Sequence, residues 1–326
     1  MTLSDFLEEW NNETPYVRVQ TSGSTGKPKL MLAEKKRMAA SARATCNFLC
    51  LEKGDTALLC MPLDYIAGKM MVVRSIVCGL KLIDVKPDGN PLNGMQKPPT
   101  FAAMVPMQVY NSMQNEHERN LLMGIKHLII GGGAVDDEMC KKLKSFPNAV
   151  WSTYGMTETL SHIAMKRLNG KDASSWYTPF ENVKISLGTN GCLKINAPDV
   201  CKDVLQTNDL AELHNDGRRF RIIGRADNVI CSGGIKMQIE DMEQTLKPHM
   251  NAPFIITKRK DPQFGEAVVM LVKDAGTKDA INACKTYLPK YSQPKKYIAV
   301  DRLPVTETGK PARAEAERMA EQADLD

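Results

Sequence analysis

Thr21-Ser22-Gly23-Ser24-Thr25-Gly26-Lys27-Pro28-Lys29 is a run of small, flexible and hydroxylated residues that ends in cations. Before it, Tyr16-Val17-Arg18-Val19-Gln20 alternates as a short strand does. The run itself cannot hold regular structure, because Ser, Thr and Gly favour turns and Pro28 blocks helix continuation. Folded back on itself, it points amide hydrogens and hydroxyls inward, an anion nest that suits phosphate. The GxxxxGK[ST] phosphate loop does not fit. Thr21 stands where its first Gly belongs, and Pro28 follows Lys27 where Ser or Thr would bind magnesium. A polar surface loop is the plain alternative, and the rest of the chain has to decide.

Outward from this run, Leu30–Leu51 reads as a helix with Leu32, Met38, Ala39, Ala42 and Cys46 on an apolar side. A rhythm follows. Thr56–Met61, Leu80–Val85, Phe101–Val105, His127–Ile130 and Val150–Thr153 read as strands, with helical segments at Met70–Cys78 and Val135–Leu143. Strands alternating with helices predict an α/β layer on a largely parallel sheet, with ligands at the strands' carboxyl ends. Gly131-Gly132-Gly133 and Tyr154-Gly155-Met156-Thr157-Glu158 both fall just after strands. From Lys184 the texture changes to short strands with Gly and Asn turns, which predicts a small β subdomain. After Gly224-Arg225-Ala226-Asp227 comes a compact α+β unit. The expected division is a large domain over 1–225 and a small one over 226–326.

Composition narrows the function classes. With 326 residues the chain has ample material for a buried core. No apolar run approaches the ~20 residues that cross a bilayer. The acidic start, Met1–Trp10, reads as a short amphipathic helix with Ser4 as cap, not as a signal peptide. The nine cysteines are scattered and without a CxxC pair, as expected of free thiols in a reducing cytoplasm. A net charge of +5 without a basic, aromatic-laced stripe argues against nucleic acid.

Four stretches now stand in order: TSGSTGKPK (Thr21–Lys29), YGMTET (Tyr154–Thr159), GRADNVICSGG (Gly224–Gly234) and LPVTETGK (Leu303–Lys310). Together they resemble the adenylate-forming superfamily of acyl- and aryl-CoA synthetases, nonribosomal adenylation domains and luciferases. Within it, Pro62-Leu63-Asp64-Tyr65-Ile66-Ala67-Gly68-Lys69, with Arg74 six residues past Gly68, resembles the o-succinylbenzoate–CoA ligase branch of menaquinone synthesis. Departures are plain. Only about twenty residues precede the phosphate loop, so the resemblance implies a reduced N-terminal region. Asn208 stands before Asp209 where Gly is usual, Ile235-Lys236-Met237-Gln238 departs from the usual continuation, and Tyr65 stands where His is frequent.

The resemblance implies a reaction in two halves: an acyl-adenylate forms from ATP with Mg²⁺, then coenzyme A takes the acyl group. Lys310, a compact cation, would bridge the acid and a phosphate oxygen. Glu158 would hold Mg²⁺ and Thr157 the α-phosphate. Thr21, Ser22, Gly23, Ser24, Thr25, Gly26 and Lys29 would clamp the outer phosphates. Gly131, Gly132 and Gly133 would pack beside the nucleotide, Tyr154 would stack on adenine, and Asp209 and Arg225 would reach the ribose. Arg74, Lys69, Tyr65, Ser161 and His162 would line the acyl site. Asp227 would be the hinge that brings Ser232, Gly233 and Gly234 to coenzyme A. Expected partners are small molecules, with no nucleic acid or membrane span, and a homo-oligomer is compatible. Another acyl-CoA synthetase, a carrier-protein-loading enzyme and a non-catalytic nucleotide binder stay open as alternatives.

Overall fold

The structure is a computed structural model, and it describes residues 1–20, 30–133, 135–273, 276–306 and 310–323. The phosphate-loop residues Thr21, Ser22, Gly23, Ser24, Thr25, Gly26 and Lys29 lie outside the described residues, as do Thr308 and Gly309.

Helix α1 (Leu3–Asn11) opens the chain and seats Phe6 in the core. Thr2, not Ser4, is its cap. The Asp5 amide donates to the Thr2 hydroxyl and the Thr2 amide donates to the Asp5 carboxylate, a reciprocal box. Strand β1 (Tyr16–Gln20) pairs antiparallel with β2 (Leu30–Glu34). The expected helix from Leu30 is therefore corrected: α2 (Lys35–Leu49) starts only at Lys35. Leu30–Glu34 completes a ladder with β1, and tertiary pairing outweighs a weak local preference.

The doubly wound core comprises β3 (Thr56–Leu59), α3 (Ile66–Cys78), β4 (Lys81–Asp84), β5 (Phe101–Met104), α4 (Pro106–Gln114), α5 (Glu116–Gly124), β6 (His127–Ile130), α6 (Asp137–Leu143) and β7 (Ala149–Gly155). Two antiparallel strands, β8 (His162–Arg167) and β9 (Thr178–Pro179), extend it. The order is β4-β3-β5-β6-β7-β8-β9, parallel as far as β7. Successive side chains face opposite sides, so Ala57 and Leu59 join a cluster with α2 and α3, and Leu58 joins one with α4, α5 and α6. Chain order reverses between β3 and β5, a topological switch point that opens a crevice at their carboxyl ends. Gly68 lets α3 press onto the loop after β3. A Cβ there would stand 2.4 Å from the Pro62 carbonyl oxygen.

Strands β10 (Lys184–Leu187), β11 (Cys192–Asn196), β12 (Leu205–Leu213) and β13 (Phe220–Arg225) form the expected small antiparallel sheet. The α+β unit follows: β14 (Val229–Ser232), β15 (Ile235–Gln238), α7 (Ile239–Leu246), β16 (Phe254–Asp261), β17 (Gly265–Lys273), α8 (Thr277–Tyr287), β18 (Lys296–Val300) and α9 (Arg313–Gln322). Its sheet centres on β17, whose Ala267–Val272 run is buried on both faces and so reads as continuously apolar. The unit has its own core, including Ile230, Met242, Leu246, Met270 and Cys284. It also touches the larger one: Lys247 Nζ lies 2.7 Å from the Asp136 carboxylate, and Gln244 donates to Asp137 at 3.2 Å. No helix among the described residues is long and apolar enough to cross a membrane.

Candidate active site

Three distant segments meet in one polar network. Tyr154, near the end of β7, donates its hydroxyl to Asp209 Oδ2 at 2.6 Å. Arg225, at the end of β13, donates Nη1 to Asp209 Oδ1 at 3.0 Å. Its Nε and Nη2 clamp both oxygens of Asp227 at 2.8 and 2.7 Å. The register of β12 against β13 makes this possible, since it sets Asp209 opposite Arg225. The hydroxyl of Thr207 receives the Asp209 amide and so shapes the approach to the carboxylate. Burial, helped by the Asp209 charge, pushes the Tyr154 phenol above its usual range. Burial alone would raise Asp227, but the Arg225 bonds and charge hold it below the usual carboxylate value.

Lys310 belongs to the same neighbourhood. A bridge between Val305 and Pro311 and the bond from the Thr306 amide to the Lys310 carbonyl, 2.7 Å, fold its segment back. Burial, and then the positive charge of Arg225, lower the Lys310 ammonium below the usual lysine range. A cation held close to another cation is poised for an anion.

The turn after β7 carries Thr157 and Glu158 in a single 3-10 turn, Thr157–Thr159. The Thr159 hydroxyl receives the Met156 amide, and Cys201 Sγ approaches the Glu158 carbonyl at 3.2 Å. Leu160 then adopts φ 63°, a conformation that costs an ordinary side chain energy and recurs at functional turns. Gly155 has backbone pressed against it, since a Cβ would stand 2.3 Å from the Ser161 carbonyl oxygen. The turn thus aims Ser161 and His162 back beside β7. For a magnesium ion the fit is limited but adequate: no cluster of three or more His, Cys, Asp or Glu occurs among the described residues. One carboxylate is enough for an ion that keeps waters and phosphate oxygens as its other ligands, and Glu158 is the carboxylate on this turn that could supply it.

The second focus is Arg74 on α3, 2% exposed, whose Nη2 donates to Ser161 Oγ at 2.6 Å. Its Nε has no partner among the described residues, and no carboxylate pairs with it there. Burial brings the guanidinium down to about 10, so it stays charged at neutral pH. Ser161 Oγ also meets His162 Nδ1 at 3.2 Å, and His162 Nε2 meets Thr45 Oγ1 on α2 at 3.0 Å. Cys46 on α2 and Cys78 on α3 are the thiols whose charge bears on Arg74. Thr45, Cys46 and Cys78 carry no local motif; only the packing of α2 on α3 reveals them.

Other expected site residues lie elsewhere. Lys69, 1% exposed, donates to the Arg18 carbonyl at 2.7 Å and pairs with Glu9 at 3.5 Å. At about 100° per residue it leaves α3 on a different side from Arg74. Tyr65 precedes α3 and bridges to Gln20. Gly131, Gly132 and Gly133 follow β6, beside Thr153, Val105 and Pro106. Ser232, Gly233 and Gly234 form the β14–β15 turn, where the Gly233 amide donates to Phe264 of its own unit at 2.9 Å. Asp227 sits between β13 and β14.

Residues 5–191, more than half of the chain, match the family described as AMP-binding enzymes. The chain belongs to that family. An acyl-CoA synthetase (AMP-forming)/AMP-acid ligase II-like protein from Dyadobacter fermentans is 32% identical, with TM-score 0.66, covering 99% of this chain and 93% of that one. The 2-succinylbenzoate–CoA ligase of Salmonella typhimurium is 24% identical over 89% of this chain and 66% of its own length. That of Haemophilus influenzae is 26% identical over 79% and 59%. The chain thus spans about two thirds or less of these curated AMP-binding relatives. Among solved structures, O-succinylbenzoate coenzyme A synthetase of Bacillus subtilis, in complex with ATP and magnesium, shares the fold at TM-score 0.75 and 21% identity, covering 91% of this chain and 69% of that one.

Proposed function

We propose that this AMP-binding protein is an ATP-dependent acid–CoA ligase whose acid carries a second carboxylate, of the o-succinylbenzoate type used in menaquinone synthesis. The observation that carries the reading is Arg74: a buried guanidinium with an unpaired Nε and no carboxylate partner among the described residues. An uncompensated buried cation is costly in a resting protein, by several kcal/mol. It is retained with advantage where a ligand's carboxylate completes it, because guanidinium matches carboxylate geometry. The names of the curated relatives point to the same acid class.

In the first half-reaction a carboxylate oxygen of the acid attacks the α-phosphorus of ATP, and pyrophosphate leaves. Two anions must meet, so fixed positive charge matters most. Lys310 supplies it, in the neighbourhood of Arg225. Asp209 receives the ribose hydroxyls, Tyr154 offers its ring to the base, and Thr157 bonds the phosphate. Thr21–Lys29 holds the outer phosphates. Glu158 would hold Mg²⁺, whose chemistry is to neutralise phosphate charge. In the second half-reaction the coenzyme A thiol attacks the acyl carbon, giving up its proton, and AMP leaves. The Ser232-Gly233-Gly234 turn serves that half, and Asp227 is the hinge between 1–225 and 226–326.

The test is acid-dependent pyrophosphate release over a panel of mono- and dicarboxylic acids, with and without coenzyme A. A dicarboxylate optimum and a thioester product are expected. Pyrophosphate release that ignores the second carboxylate refutes the acid class, and none with any acid refutes the ligase. Lys310→Ala should abolish adenylate formation and spare thioester formation from preformed adenylate; equal loss of both halves in folded protein removes that role.

A further inference from the structure

Arg74 does not stand alone. It is joined to a chain of side chains that ends on a different helix, and one assignment of the protons satisfies each link of that chain. A guanidinium only donates, so Ser161 Oγ accepts from Arg74 Nη2 at 2.6 Å. The one proton of the Ser161 hydroxyl is then free for His162 Nδ1, 3.2 Å away. With Nδ1 accepting, the neutral ring carries its proton on Nε2 and donates to Thr45 Oγ1 at 3.0 Å. Thr45 passes its own proton to the Ser41 carbonyl, 3.2 Å along α2. Beyond Arg74, the side chains of Ser161, His162 and Thr45 each have a partner for their proton. The opposite tautomer would point Nδ1–H at an oxygen already facing Arg74 and leave the serine proton without this acceptor.

We propose that Thr45 and His162 are positioning residues for acid selection: they lock the Ser161 hydroxyl as an acceptor toward Arg74. The guanidinium is thereby held with its Nε free for the acid's second carboxylate. The specificity half of this inference rests on the role proposed for Arg74. The surroundings fit. His162 is buried, and its ring meets Phe180 edge-on at 5.5 Å. Burial, with the Arg74 charge, keeps the imidazole neutral, far below its usual range. A charged imidazolium would lose the Nδ1 acceptor and set two cations on one serine. Cys46 from α2 and Cys78 from α3 are the other titratable groups against Arg74.

The tautomer is readable without activity. Long-range ¹H–¹⁵N correlation spectra of the full chain, with His162 assigned by its loss in His162→Asn, should show the neutral Nε2–H pattern at pH 7. An Nδ1–H or doubly protonated pattern overturns the chain of bonds. The consequence is read as the ratio of KM values for 2-succinylbenzoate and benzoate in pyrophosphate release. Thr45→Val keeps the shape but removes the hydroxyl. It should cut discrimination between the two acids about 3- to 10-fold, and Thr45→Ser should restore it. Arg74→Met is the control. If it abolishes discrimination while Thr45→Val leaves it intact, the positioning role falls and the acid reading stands. If Arg74→Met leaves discrimination intact, the acid reading itself falls. Should Thr45→Val not fold, as judged by circular dichroism, His162→Leu reads the same link, and unchanged discrimination there overturns the inference.

Discussion

Replacing Arg74 by Met should move stability and acid recognition in opposite directions. In the resting protein the guanidinium is 2% exposed, makes one side-chain bond to Ser161, and leaves its Nε bare. A buried unpaired polar group costs about 1–3 kcal/mol. Apolar replacement of buried ionic groups is often neutral or stabilising by ~1–4 kcal/mol. Met has similar length and adapts to irregular space. The variant without ligand should therefore keep its melting temperature or gain a few degrees by calorimetry. With the acid bound, the sign reverses. Truncating one member of a buried hydrogen-bonded charge pair costs about 2–5 kcal/mol, or roughly 30- to 4000-fold in affinity. The KM for a dicarboxylic acid should rise within that range, while the KM for ATP stays within about threefold, because the site proposed for ATP is the separate Tyr154–Asp209–Arg225 network. The assay is pyrophosphate release with each substrate varied in turn, beside a calorimetric scan of each protein. A melting temperature that falls by many degrees with an unchanged acid KM would refute the reasoning. Arg74 would then be a structural cation whose compensation comes from its protein surroundings.

Other perturbations test separate parts of the site. In its proposed role Lys310 must be protonated to bridge two anions, and burial and Arg225 lower its affinity for protons. Adenylate formation should thus fail on an alkaline limb below the usual lysine value of about 10.4, and Arg225→Gln, which removes a repelling charge, should move that limb to higher pH; a limb that stays put refutes the coupling. Cys78 is drawn below the usual thiol range by Cys46, against burial and with help from the Arg74 and Arg43 charges. Iodoacetamide should label it with a midpoint below the usual thiol range, and at higher pH in Arg74→Met; labelling at the usual thiol pH would contradict the influence of these neighbours. Lys69→Met removes the donor to the Arg18 carbonyl and the ion pair with Glu9 and should cost about 1–3 kcal/mol in urea unfolding, with the acid KM unmoved; a raised acid KM would return Lys69 to the substrate site. Gly68→Ala forces a methyl against the Pro62 carbonyl and should destabilise by about 1–3 kcal/mol, again by urea unfolding; neutrality would show that the loop after β3 yields.

The strand and helix rhythm was legible because each element of the large sheet meets water differently from its neighbours. The run at Phe101–Met104 is buried on both faces and reads as continuously apolar, and acids at Asp136, Asp137 and Glu138 announce the start of α6. The segment Leu30–Glu34 misled for the complementary reason. Its apolar residues are largely exposed, with Leu30 at 79% and Leu32 at 62%, and its strand state comes from pairing with β1. Nothing in such a pairing is local. The Thr2 cap follows the same logic at smaller scale, since Ser4 is an equally good capping type and only the reciprocal bond with Asp5 selects Thr2.

The site divides along the same line. Residues proposed to act on the common part of the reaction sit in short motifs, because the turn that carries Glu158 and the strand that ends in Arg225 are each local devices. The residues proposed to select the acid are spread over α2, α3 and the start of β8, and each is ordinary in its own stretch. Thr45 reads as one more polar helix residue until α2 meets the start of β8, and His162 as a core histidine until Ser161 joins it to Arg74. Charge explains the split. Phosphates are handled by backbone amides and a few cations, which a loop can carry by itself. A buried guanidinium needs its orientation fixed from outside its own helix, because nothing on one helical face restrains a long, flexible side chain. Selectivity for the acid therefore has to be written in contacts between elements, and the fold must be known before it can be read.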